Sequence, residues 1–93
     1  MDDGNRVIIG GMRQKILVFE NLQSFSIAMY IEPWGRAYEI GSGSFVEIEI
    51  QDDTERYAKE DFTIEQTEKS TVIWPPDSKA VTLYVNNRYL DEL

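Results

Sequence analysis

Polar and apolar residues alternate along most of this chain with a period of two. The clearest case begins at Phe25, where Phe25, Ile27, Met29 and Ile31 alternate with Ser26, Ala28 and Tyr30. In an extended chain successive side chains point to opposite faces, so this stretch predicts a strand with one face inward. Val46, Ile48 and Ile50 against Phe45, Glu47 and Glu49 predict a second strand of the same kind. Val81, Leu83 and Val85 predict a third, and Phe62 with Ile64 a shorter one. The consecutive apolar residues Ile16, Leu17, Val18 and Phe19 predict a strand covered on both faces. Arg36 to Ile40 and Thr71 to Trp74 bring the set to seven, with Arg88 to Leu90 as an optional short final strand.

The breaks between these runs carry turn chemistry. Glu32-Pro33-Trp34-Gly35 fits a type I turn, with Pro33 presetting φ at the second position. Gly41-Ser42-Gly43-Ser44 reads as a flexible connection. Pro75-Pro76 stops the preceding strand, because neither residue has an N–H to give to a ladder. Asn86-Asn87 suits a tight hairpin, since asparagine tolerates positive φ. Residues 52–61 fit either a short helix capped by Asp53 or Thr54, or a polar crossover loop. About seven short strands at spacings of roughly 8–12 residues predict an all-β fold. An antiparallel, immunoglobulin-like β-sandwich is the first choice, and a small β-barrel is the alternative. Residues 15–93 form its single domain; 1–14 are expected to be a mobile N-terminal tail, with an edge strand at Arg6 to Ile9 as the competing reading.

The hairpin around Pro33 also carries a resemblance. A strand ending in Glu32-Pro33-Trp34-Gly35, with Tyr38 on the return strand and a glycine-containing turn before the next one, resembles a group of uncharacterised small bacterial β-sandwich proteins. The resemblance spans roughly Ile16 to Tyr89. It implies a sandwich fold and no particular activity.

Composition narrows the chemistry. The 93 residues include no Cys and no His, which removes disulfides, thiolate nucleophiles, the commonest metal ligands and the commonest general base at neutral pH. Nine Lys and Arg against 17 Asp and Glu give a net charge of −8, which disfavours nucleic acid and anionic membrane surfaces. The start of the chain, with Asp2 and Asp3 and a short apolar run, lacks the pattern of a signal peptide, so a cytoplasmic location is expected.

Trp34 and Tyr38, flanked by Glu32 and Arg36, form one candidate binding site: an aromatic platform for a peptide or a sugar. In the competing reading, Trp34 folds back to cap the sandwich. Trp74 either extends an aromatic groove or lies in the core beside Val72. Glu47 and Glu49 share a strand face, and Glu39 and Glu65 are expected on neighbouring strands. The spacing of Asp52-Asp53-Thr54-Glu55 lacks the alternation of a calcium loop. No cofactor, metal site or catalytic residue is expected. The chain reads as a non-catalytic binding or protein-interaction module, whose partner is another protein or a second copy of itself. A carbohydrate- or small-ligand-binding domain built on the hairpin aromatics is the alternative.

Overall fold

A computed structural model describes residues 5–9, 16–51 and 61–93. Those residues form nine strands: β1 (Asn5–Ile9), β2 (Ile16–Asn21), β3 (Ile27–Ile31), β4 (Arg36–Ile40), β5 (Phe45–Ile50), β6 (Thr63–Gln66), β7 (Ser70–Trp74), β8 (Val81–Val85) and β9 (Arg88–Glu92). They make two sheets, ordered β1-β2-β5-β8-β9 and β4-β3-β7-β6. Every neighbouring pair is antiparallel except β3 and β7, which run parallel. Among the described residues no helix is long and apolar enough to cross a membrane.

One apolar cluster lies between the two sheets. The larger sheet contributes Leu17, Phe19, Val46, Ile48, Ile50, Val81 and Leu83; the smaller contributes Ile27, Met29, Ile31, Ile40 and Ile73. Phe62, just before β6, joins them. These are the inward halves of the alternating runs, so period-two patterning accounts directly for a two-layer β-sandwich. The immunoglobulin likeness extends to that architecture. The strand order departs from the four-plus-three antiparallel sheets of an immunoglobulin constant domain, since five strands face four and a parallel pair sits inside the smaller sheet.

Several local expectations need correction. Asn5–Ile9 form β1, paired with β2, so the edge-strand reading holds there and a tail spanning all of 1–14 does not. The rest of 1–14 lies outside the described residues, as does the 52–61 segment apart from Asp61. The β2 run is covered fully on one face only: Leu17 and Phe19 are buried, whereas Val18 is half-buried. The Gly41–Ser44 connection is a hydrogen-bonded turn, with Ser44 N–H donating to the Gly41 carbonyl at 3.1 Å.

That turn is anchored by Asn21, the last residue of β2 and completely buried. Its backbone N–H donates to the Ser44 carbonyl, and its own carbonyl accepts from Gly43 N–H. Its side-chain amide donates to the carbonyls of Phe25 and Ile40 at 2.9 and 3.0 Å, and its Oδ1 accepts from the Gln23 N–H. A buried amide satisfied on both sides ties the end of the larger sheet to β4 of the smaller one. At the same end, Asn86 and Asn87 both take positive φ, 51° and 68°, in the two-residue turn between β8 and β9, and the Asn86 side chain accepts from the Phe45 N–H and donates to the Ser44 hydroxyl.

Candidate functional site

The β3–β4 hairpin holds four of the five residues singled out above, and the structure sends them in different directions. Its register pairs Ile31 with Arg36, which leaves Glu32 to Gly35 as the connection. The Glu32–Pro33 peptide is cis, and Gly35 adopts φ 68°, a conformation side-chain-bearing residues rarely take. Glu32 is half-buried and its backbone N–H donates to the Ile73 carbonyl at 3.0 Å. Trp34 is half-buried and packs against the apolar cluster, in line with the capping reading.

Tyr38 and Arg36 occupy inward positions of an edge strand, and both reach across to the other sheet. The Tyr38 hydroxyl donates to Asp91 Oδ2 at 2.8 Å, and Arg36 Nη1 approaches the same oxygen at 3.3 Å. Asp91 lies on β9, the edge strand of the larger sheet, so the pair clasps the two layers along one side. On the far side, Asn5 of β1 donates to Gln66 Oε1 of β6 at 3.1 Å. Desolvation, then the hydrogen bond to Asp91, pushes the Tyr38 hydroxyl up to about 12. The same bond, together with the Glu92 N–H, holds the Asp91 carboxyl below its ordinary value. Tyr38 and Arg36 are thus engaged in joining layers.

Asp91 was not visible as a partner in the sequence. The β8–β9 ladder pairs Tyr84 with Tyr89 but Leu83 with Asp91, so Leu90 is an extra residue with nothing opposite it. That one-residue bulge turns Asp91 to the inward side.

Trp74 is 41% exposed, so of its two readings the core position does not hold. On β7 the inward positions are Thr71 and Ile73, whose backbone partners on β3 are Met29 and Ile31. Val72 and Trp74 therefore point outward. Tyr30, which the sequence reading passed over, pairs with Val72 on one side and Ala37 on the other, and is 37% exposed. The signal for it was present: Tyr30 is the large residue in the Ser26/Ala28/Tyr30 set opposite the apolar face.

Outward strand positions of the smaller sheet are thus Ala37 and Glu39 on β4, Ala28 and Tyr30 on β3, Val72 and Trp74 on β7, and Glu65 on β6, with Ser70 and Thr63 completing the face. The short Ala28 and Ala37 side chains leave an open trough of about 380 Å³ bordered by Ser26, Tyr38 and Glu39. No Lys or Arg occupies an outward strand position here.

The carboxylates are divided. Glu39 and Glu65 lie on the outer face of the smaller sheet, at its two edges, while Glu47 and Glu49 lie on the outer face of the larger one. They do not form one acidic face. On the larger sheet a single row runs Ile8, Val18, Glu47, Tyr84, Tyr89, with the two tyrosine rings edge to face at 6.3 Å. Nearby, Arg6 forms an ion pair with Glu20. Among the described residues no three acidic side chains converge as a metal site would require.

Comparison with protein-family models, curated proteins and solved structures finds no match to this chain.

Proposed function

We propose that this chain is a non-catalytic protein-interaction module, and that the outer face of its smaller sheet is the binding surface. The observation that carries this reading is the apolar band of Ala37, Tyr30, Val72 and Trp74, rimmed by Glu39 and Glu65 and free of basic residues at strand positions. Aromatic side chains presented on rigid strands supply contact area at low entropic cost, and Trp and Tyr dominate the energetics of known interfaces. The carboxylate rim favours a partner whose apolar contact residues are accompanied by Lys or Arg. The absence of His and Cys from the whole sequence, and the openness of the trough, support binding over catalysis.

The hairpin aromatics support a sugar platform less well than a protein surface elsewhere. Trp34 packs on the core and the Tyr38 hydroxyl is held by Asp91, so of the expected site's aromatics only Trp74, on β7, is broadly exposed.

The test starts from partner capture on the immobilised chain, followed by affinity measurement with the purified partner. Trp74→Ser and Tyr30→Thr are each expected to weaken binding at least tenfold with unchanged melting temperature. Tyr89→Ser, on the other sheet and 60% exposed, is expected to leave affinity unaltered. Loss of binding in Tyr89→Ser with full affinity in the other two would move the interface to the larger sheet.

A further inference from the structure

The four sheet edges differ in how well they resist a further strand. β6 is only four residues long. β9 carries the Leu90 bulge and exposes Arg88 and Glu92. β1 presents Arg6 in an ion pair with Glu20. Charges, bulges and shortness are the usual guards against edge pairing. β4 runs five residues without a bulge or proline, and its register with β3 is unbroken. Its one basic residue, Arg36, takes an inward position and is drawn across to Asp91 of the other sheet, whereas Arg6 stands on the outer face of its own. Its outward side chains are Ala37 and Glu39, and beside Ala37 lies the open trough.

We propose that the partner binds β4 as an added strand, through an extended segment carrying a large apolar side chain over Ala37 and a Lys or Arg two residues away, opposite Glu39. This rests on the preceding reading and specifies how that surface is engaged. A strand added at an open edge gains main-chain hydrogen bonds from the alternate N–H and C=O groups that β3 does not use. Side chains of the new strand alternate across the sheet, so the residues facing Ala37 and Glu39 are separated by one residue in either strand direction. Because Ala37 ends at Cβ, a long side chain opposite it passes over the strand and abuts Tyr30, the cross-strand neighbour of Ala37 on β3. Glu39 is exposed and selects the cation.

A second copy of this chain is a poor occupant. Antiparallel pairing of β4 with itself puts Gly35, Ala37 or Glu39 opposite Glu39, depending on the centre of symmetry, and never a base. It also brings together two chains of net charge −8.

The probe is a capped peptide, Thr-Val-Phe-Thr-Lys-Val-Thr, compared with the same peptide carrying Glu in place of Lys. Binding is followed on the full chain by amide chemical shifts and hydrogen exchange. The Lys peptide is expected to shift the Arg36–Ile40 amides and to slow exchange at alternate β4 positions at least tenfold. The Glu peptide is expected to bind at least tenfold more weakly, and Glu39→Lys to reverse that preference. Ala37→Phe fills the space beside the edge and is expected to abolish binding while the melting temperature holds. Saturable shifts at Tyr30, Val72 and Trp74 with β4 exchange unchanged would overturn strand addition and leave the face as the binding surface. No saturable binding of the Lys peptide at millimolar concentration, or unchanged binding in Ala37→Phe, would overturn the inference. Loss of partner binding in Trp74→Ser and Tyr30→Thr tests the broader reading separately.

Discussion

The smaller sheet has two apolar faces that differ in what covers them. On the inner face, Ile27, Met29, Ile31, Ile40 and Ile73 are 3% exposed or less. On the outer face of the same strands, Tyr30 and Trp74 stand more than a third exposed, and no described element packs on them. The larger sheet does not repeat this contrast. Its outer face carries charge at its centre, with Glu47 and Glu49 on β5, whereas the outer carboxylates of the smaller sheet, Glu39 and Glu65, lie at its two edges. Apolar residues on the inner face of the smaller sheet hold the fold together, and those on its outer face remain available to a partner. The two faces are separable by mutation.

The largest effect is expected from crossing that boundary at adjacent residues of β3. Met29→Ala removes a completely buried side chain and leaves a cavity between the sheets, at a cost of about 2–5 kcal/mol. Tyr30→Thr, one residue on and facing outward, is expected to stay within about 0.5 kcal/mol of the parent. Urea unfolding of both variants checks the pair. Equal destabilisation would mean that Tyr30 is part of the cohesive structure, and the outer face would lose its standing as a free surface.

Next comes the link between the sheets at Asn21. Asn21→Ala removes the side-chain hydrogen bonds to the Phe25, Ile40 and Gly41 carbonyls and the one accepted from the Gln23 N–H, each worth about 0.5–1.5 kcal/mol. The expected loss is about 2–3 kcal/mol. Amide exchange should show it first in the Gly41–Ser44 turn and at the start of β5. Unchanged exchange there, with β3 weakened instead, would break the assignment of Asn21 to this junction.

How much of this was legible beforehand follows from where alternation decides and where it does not. In β3, β5 and β8 only one parity is strongly apolar, so the inward residues Met29, Ile48 and Leu83 could be read directly. In β7 both parities are apolar: Thr71 and Ile73 compete with Val72 and Trp74. What settles the matter is that Ile73 sits opposite Ile31 on one neighbour and Ile64 on the other, a register that no local pattern encodes. The parallel β3–β7 pairing is likewise set by the path of the chain through intervening strands. Asp91 was hidden for a different reason, because regular pairing in the β8–β9 hairpin would put Leu90, not Asp91, opposite Leu83. Of the expected site, Glu32, Trp34, Arg36 and Tyr38 do share one hairpin, yet the contacts of Arg36 and Tyr38 depend on Asp91, more than fifty residues away.

The clasp gives a smaller effect with a pH signature. Tyr38→Phe deletes the hydrogen bond to Asp91 and is expected to cost about 1 kcal/mol at neutral pH. The folded state raises the Tyr38 hydroxyl above the value it has unfolded, so its contribution is complete below pH 10 and is lost as pH rises from there towards about 12. Asp91 is shifted the other way. Its contribution is present above the unfolded carboxyl value and is lost as pH falls from there through the lower folded value. Melting temperature against pH should therefore decline less steeply at both extremes in Tyr38→Phe than in the parent. Carboxyl carbon shifts should show Asp91 titrating at higher pH in the variant. Parallel profiles would detach the clasp from stability.

The smallest effect is expected inside the inner face itself, at Thr71. Its backbone partners are Met29 on β3 and Gln66 on β6, and its buried hydroxyl finds no hydrogen-bond partner among the described residues. A buried hydroxyl without a partner has lost its hydration and gained nothing in return. Valine has nearly the same shape and no such requirement, and it favours strands equally well. Thr71→Val is therefore expected to be neutral or to stabilise by up to about 1 kcal/mol, measured by urea unfolding alongside Met29→Ala. Destabilisation by more than about 0.5 kcal/mol would show that the hydroxyl is satisfied in solution, by water or by a neighbouring group. The inner face would then be wetter than its apolar composition implies. Stabilisation would mean that one polar group on this face still works against cohesion, which sharpens the difference between a face already filled and a face left open.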